Sequence, residues 1–143
     1  GDAPAHEAAF AELLRHTPAL VQPYVAEVAT AGEWSLMFFG GAYSHAVLKR
    51  PRSGDFRVQE KHGGLQEPAE PTRDTIGQAA AMVAALAELG HGGLAYARID
   101  GVVVAGRLQL MEAELIEPQL FLSGAPHGAA NFARALSETL RAR

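Results

Sequence analysis

The stretch LAYARIDGVVVAGRLQLMEAELI, residues 94–116, reads as two β-rich runs, Leu94–Val103 and Leu108–Ile116, around a turn at Ala105-Gly106. In the second run Glu112 and Glu114 are two apart, so strand alternation points both to one face while Met111, Ala113 and Leu115 take the other. A turn of odd length sets Asp100 opposite Glu112 on that face, and an even turn shifts the register by one. Three like charges side by side cost free energy unless protons or a cation neutralise them. Hard oxygen ligands favour Mg²⁺ or Mn²⁺ over softer metals. Asp100, Glu112 and Glu114 are therefore the expected metal ligands, against the plainer reading of a solvated sheet face. A Mg²⁺ held by few carboxylates keeps waters and completes its shell with substrate phosphates, which points towards a nucleotide.

Upstream of this hairpin, Thr72 or Asp74 caps a helix running to about Leu89, with Ile76, Ala79, Val83 and Leu86 as its apolar stripe and Gly90 as its end. Downstream, Pro126 to Leu140 reads as a closing helix with Phe132, Leu136 and Leu140 inward. Nearer the start, Ala5–His16 is a short amphipathic helix with Phe10, Leu13 and Leu14 on one face, stopped by Thr17-Pro18. Leu20–Val28 has a strand's composition, but Gln22-Pro23 lies inside it, and an edge strand or hinge is the better expectation. From Glu33 to Lys49 two β-rich runs flank Gly40-Gly41, a dipeptide suited to a tight hairpin turn. Arg50–Pro71 is polar and rich in Gly and Pro, hence a long loop with one short strand at Phe56–Glu60. The expectation is one α+β domain with an antiparallel β-sheet and helices packed on one face.

The 143 residues suffice for a domain with its own core. A hydrophobic content of 48% beside 20% charged residues is ordinary for a globular chain, and no apolar run is long enough to span a membrane. Twelve basic against 16 acidic residues, a formal charge of −4, argue against non-specific nucleic-acid binding. Without cysteine there are no disulfides, thiolate metal sites or Cys nucleophiles. No signal peptide is evident, so a cytoplasmic setting is the simplest. Gly1-Asp2-Ala3-Pro4 resembles the middle of a loop, which leads us to expect a fragment of a longer polypeptide.

Other residues offer complementary chemistry. Arg57, just before Gly63-Gly64, suits a phosphate or carboxylate oxygen, although alone it reads as a surface arginine in a loop. His45 and Lys49 share a strand face, and Lys49 would add positive charge near the same anion; His45 reads as a satisfied strand histidine. Glu33 is placed to accept hydrogen bonds from sugar hydroxyls. The irregular Val21-Gln22-Pro23-Tyr24 offers backbone groups to the edge of a purine, or is simply an edge strand.

Val21–Tyr24, Gly32-Glu33-Trp34-Ser35, His45–Lys49, Asp55-Phe56-Arg57-Val58-Gln59, Gly63-Gly64, Tyr96–Asp100 and Met111–Pro118 occur in an order that resembles the C-terminal half of an ATP-grasp ligase. Within that superfamily the chain is most similar to the glutathione-synthetase-like group, including the cyclo-ligases of D-cycloserine biosynthesis. The resemblance implies an ATP-grasp C-terminal subdomain over residues 19–143, with residues 1–18 left from the preceding subdomain. It implies that Gln22, Tyr24 and Val25 hold adenine through the backbone, that Glu33 binds ribose, and that Arg57 contacts the transferred phosphate. ATP with Mg²⁺ or Mn²⁺ is the implied cofactor set, held by Lys49 and by Asp100, Glu112 and Glu114. The implied reaction is phosphorylation of a small carboxylate by ATP followed by amine attack. Two departures stand out. Glu114 replaces the family's usual asparagine, and the half that normally supplies phosphate-binding lysines and a glycine-rich loop is missing, so the chain alone is expected to be inactive. The expected partners are ATP and a small carboxylate or amine, with a homodimer also expected and neither nucleic acid nor membrane. The alternative is a non-catalytic domain that binds a metal, a nucleotide or a protein.

Overall fold

A computed structural model describes residues 3–51 and 64–141. In chain order the elements are α1 (Ala3–Leu14), α2 (Glu27–Thr30), β1 (Glu33–Phe39), β2 (Ala42–Arg50), β3 (Leu65–Pro68), α3 (Arg73–Leu86), β4 (Tyr96–Val104), β5 (Arg107–Glu114) and α4 (Gly128–Arg141). The five strands form one sheet in the order β3-β2-β1-β4-β5, and every neighbouring pair is antiparallel. The α+β class and the antiparallel sheet are as expected. Among the described residues no helix is long and apolar enough to cross a membrane.

Alternation along β1 explains the layering. Leu36 and Phe38 face α3 and form a core with Ala46, Ala97, Ile99, Leu108 and Ala79. Met37 and Phe39 point the other way, where they pack with Val47, Phe132 and Ala135 of α4. The helices thus lie on both faces, α3 on one and α4 on the other, which corrects the expectation that they pack on one face only. A central strand apolar on both sides requires this, because one layer of helix would leave Met37 and Phe39 in water.

Thr72 caps α3 by accepting from the Thr75 amide at 3.2 Å. Gly90 has φ 90° just beyond the helix, as a helix stop requires. Gln78 ties α3 to the β4–β5 turn, accepting from the Leu108 amide (2.8 Å) and donating to the Gly106 carbonyl (3.0 Å).

Three expectations are corrected. Residues 20–25 are irregular and lead into α2, so the edge-strand alternative is overturned while the irregular one is not. Val25 and Val28 turn inward against Val102, which a helical turn permits and an edge strand interrupted by Pro23 does not. In α4 the inward residues are Phe132 and Ala135, while Leu136 and Leu140 are exposed. β3 arises at Leu65–Pro68, inside the stretch read as loop. The strand expected at Phe56–Glu60 lies outside the described residues.

Two bulges adjust the register. In β2 the pairing shifts between Met37 and Phe38, leaving Ser44 as the extra residue. The Ser44 hydroxyl meets His45 Nδ1 at 2.9 Å and accepts from Asn131 of α4 at 3.0 Å, while His45 Nε2 donates to the Leu120 carbonyl at 3.0 Å. His45 is therefore the satisfied histidine anticipated, pinning α4 and the 120s segment to the sheet.

Candidate metal centre

The second bulge builds the site. The β4–β5 turn contains two residues, with Val104 opposite Arg107 and with Ala105 and Gly106 at φ 49° and 79°, the left-handed pair that a two-residue hairpin favours. An even turn by itself would put Met111 opposite Asp100. The pairing instead jumps from Gly101↔Leu110 to Asp100↔Glu112, so Met111 is the extra residue and Glu112 arrives on Asp100's face. Met111 consequently joins Val102, Val25 and Val28, correcting the expectation that it shares the far face with Ala113 and Leu115.

Asp100, Glu112 and Glu114 converge: one ligand oxygen from each lies within 4.8 Å of the others. Their accessibility is graded, from buried Asp100 through half-buried Glu114 to exposed Glu112. Two cations share the face. Arg98, two residues before Asp100 on β4, holds its carboxylate with two bonds, Nε to Oδ1 and Nη2 to Oδ2, each 2.9 Å. The same guanidinium reaches Glu114. Its other side is held by the Gln119 carbonyl (3.2 Å) and the Phe121 ring, 5.8 Å away. Lys49, entering from β2, bridges Asp100 Oδ2 (2.8 Å) and Glu33 Oε1 (2.7 Å). Strand pairing sets these contacts, because Glu33 lies opposite Lys49 and Ser35 opposite Asp100.

Burial would raise the Asp100 pKa, but hydrogen bonds from Arg98 and the charges of Lys49 and Arg98 outweigh it and hold the carboxyl below its ordinary value. For Glu33 burial wins over Lys49 and the pKa rises. Burial likewise raises Glu114, with Glu112 and Asp100 adding repulsion that Arg98 only partly offsets. The face thus carries more negative charge than its two cations balance. By formal count, four carboxylates against Lys49 and Arg98 leave an excess of two negative charges, which one divalent cation would neutralise.

The donor set fits Mg²⁺ or Mn²⁺, being all oxygen with one accessible carboxylate. A further observation agrees. Ser35 Oγ, beside Asp100 across β1–β4, is fully buried and has no hydrogen-bond partner among the described residues. A buried hydroxyl is normally satisfied, so this polar corner has hydrogen-bonding capacity to spare.

Of the other residues expected at the site, Glu33 and Lys49 join the charged network. Val25 packs on Val102, two positions along β4 from Asp100, while Tyr24 is exposed and Gln22 lies in the irregular segment. Arg57 lies outside the described residues. Alternation and spacing along the chain give no role to Arg98 or Ser35. Arg98 was visible as a cation two before Asp100, hence on the same face, whereas Ser35 becomes relevant only through strand pairing. A groove of about 700 Å³ near Gly40, Gly41, His91 and Glu138 shares no residue with the carboxylates.

No protein-family model matches the chain. Cycloserine biosynthesis protein DcsG of Streptomyces lavendulae is 37% identical over 127 residues, covering 85% of this chain and 42% of that protein. The crystal structure of D-cycloserine synthetase DcsG superposes with a TM-score of 0.68 at 37% identity, over 83% of this chain and 41% of that one. D-alanine–D-alanine ligase of Bacillus anthracis, crystallised with ATP, gives 0.52 at 18% identity over 76% of this chain and 36% of that one. The likeness to D-alanine–D-alanine ligase concerns the fold alone. The chain therefore spans less than half the length of each of these relatives.

Proposed function

We propose, on the premise that this chain is homologous to the ATP-grasp ligases over part of their length, that it is the ATP- and Mg²⁺-binding part of a carboxylate–amine ligase. Residues 19–143 form the C-terminal ATP-grasp subdomain in this reading, with residues 1–18 left from the preceding one, and the setting is cytoplasmic. The observation that carries it is the convergence of Asp100, Glu112 and Glu114 beside Lys49 and Arg98. Asp100, Glu112 and Glu114 would hold a divalent cation, which would supply positive charge to offset the negative charge that develops as phosphate moves to a carboxylate. The chain's own residues bind and orient. Glu112 offers the accessible ligand, Asp100 is fixed by two cations, and Arg57 contacts the transferred phosphate. Adenine lies along Gln22, Tyr24 and Val25, with ribose against Glu33. The reaction makes an acyl phosphate, which an amine opens to an amide-like bond, releasing ADP and phosphate. In this reading the phosphate-binding lysines and the lid belong to the other half of the ATP-grasp fold, so residues 1–143 by themselves bind nucleotide weakly and do not turn over.

Calorimetric titration of ADP and ATP with and without Mg²⁺ tests this reading. Wild-type chain should bind nucleotide only when Mg²⁺ is present, and Glu112→Ala should lose most of that binding. Equal affinity of the two proteins would remove the metal-bridging role.

A further inference from the structure

Arg98 has so far only the task of fixing Asp100, yet its contacts reach further. Its guanidinium takes both oxygens of Asp100 and one of Glu114, so it already sits on two of the three carboxylates a divalent ion would need. A carboxylate offers about four acceptor positions. On Asp100 two go to Arg98 and one to Lys49, leaving a single position for any further cation.

The guanidinium is also held from behind. The Gln119 carbonyl and the Phe121 ring, both from the segment after β5, keep it in place independently of the carboxylates. Its charge therefore stays within a few ångströms of an incoming ion even if its bonds to Asp100 and Glu114 loosen.

Resting on the metal reading, we propose that Arg98 is a built-in competitor of the divalent cation, a positioning residue that keeps Asp100 and Glu114 paired without metal and weakens metal binding when it comes. Carboxylates with no internal cation would gain the full attraction of the ion. Here the ion must share Asp100 and Glu114 with a fixed positive charge, and repulsion between the two cations adds to that cost. Glu112, exposed, is the first contact for the metal, and Asp100 is recruited last.

A purely supporting arginine would make the opposite prediction, since its removal would disorder Asp100 and weaken metal binding. The test is Mn²⁺ titration of the full 143-residue chain, following free ion by electron paramagnetic resonance, with thermal melts at each metal concentration. Arg98→Met should melt lower than wild type without metal, bind Mn²⁺ about tenfold or more tightly, and show the larger rise in melting temperature on metal addition. Arg98→Lys, which keeps the charge but cannot span both carboxylates, should fall between the two and decides the matter if Arg98→Met does not fold. If wild type binds Mn²⁺ and these variants bind it equally or more weakly, the competitor role is overturned while the metal site stands. If neither wild type nor the variants bind, or Glu112→Ala binds as wild type does, the metal reading falls and this inference with it.

Discussion

His45 shows how one side chain's titration becomes a property of the whole sheet. Burial lowers its pKa from the ordinary 6.5, and the neutral ring serves its neighbours, donating from Nε2 to Leu120 and accepting at Nδ1 from Ser44. In the unfolded chain the imidazole takes a proton more readily, so stability is fully present above the unfolded value and declines as pH falls towards the folded one. Urea midpoints should therefore drop between about pH 7.5 and pH 5.5, and His45→Gln should flatten that drop. An unchanged slope in His45→Gln would assign the pH dependence to other groups. At this scale the sequence was informative where alternation rules. Glu112 and Glu114 share a face as read, and Asp100 joins them. Arg98's double grip was not legible, because it depends on a rotamer and on the segment around Gln119 folding back over the sheet.

Between residue and molecule, the bulge at Met111 is the decisive element. Periodicity showed the two strands, but the even turn argued against Asp100 facing Glu112, and only an inserted residue reconciles them. Bulges leave little trace in composition, so strand alternation alone puts Met111 on the opposite face. Deleting Met111 should close the ladder into continuous pairing that still sets Asp100 against Glu112, so Mn²⁺ binding should survive. The patch formed with Val25, Val28 and Val102 would lose its cover, costing roughly 1–2 kcal/mol for a half-buried methionine, measurable by urea unfolding. Loss of metal binding in a folded deletion variant would show that the bulge does more than set register. Helix α3 was read correctly because a cap, an apolar stripe and a glycine stop all agree, whereas β3 hid in a Gly- and Pro-rich stretch and owes its existence to β2's free edge.

For the molecule as a whole, the uneven cover of the sheet matters most. The core is well enclosed between α3 and α4, yet Phe10, Leu13 and Leu14 of α1 and Leu20 and Val21 beyond it are 40–91% exposed. Such apolar surface on a free chain favours association. Sedimentation velocity should show concentration-dependent self-association, and Leu13→Glu combined with Leu20→Glu should shift the chain towards monomer without altering its melting temperature. A chain monomeric at all concentrations would show this surface to be too dispersed to drive pairing. Fold class was legible from strand and helix periods. The two-sided placement of helices was not, because it follows from both faces of β1 being apolar in a strand too short to reveal a pattern.

Arg98, Asp100, Glu112 and Glu114 all belong to one hairpin closed by two residues. Such ribbons zip within about 1–10 μs, long before the distant pairing that brings in Lys49. Because the neutralising guanidinium travels in the same ribbon, the acidic cluster need not oppose its own nucleation, and the earliest folding step carries its own counter-charge.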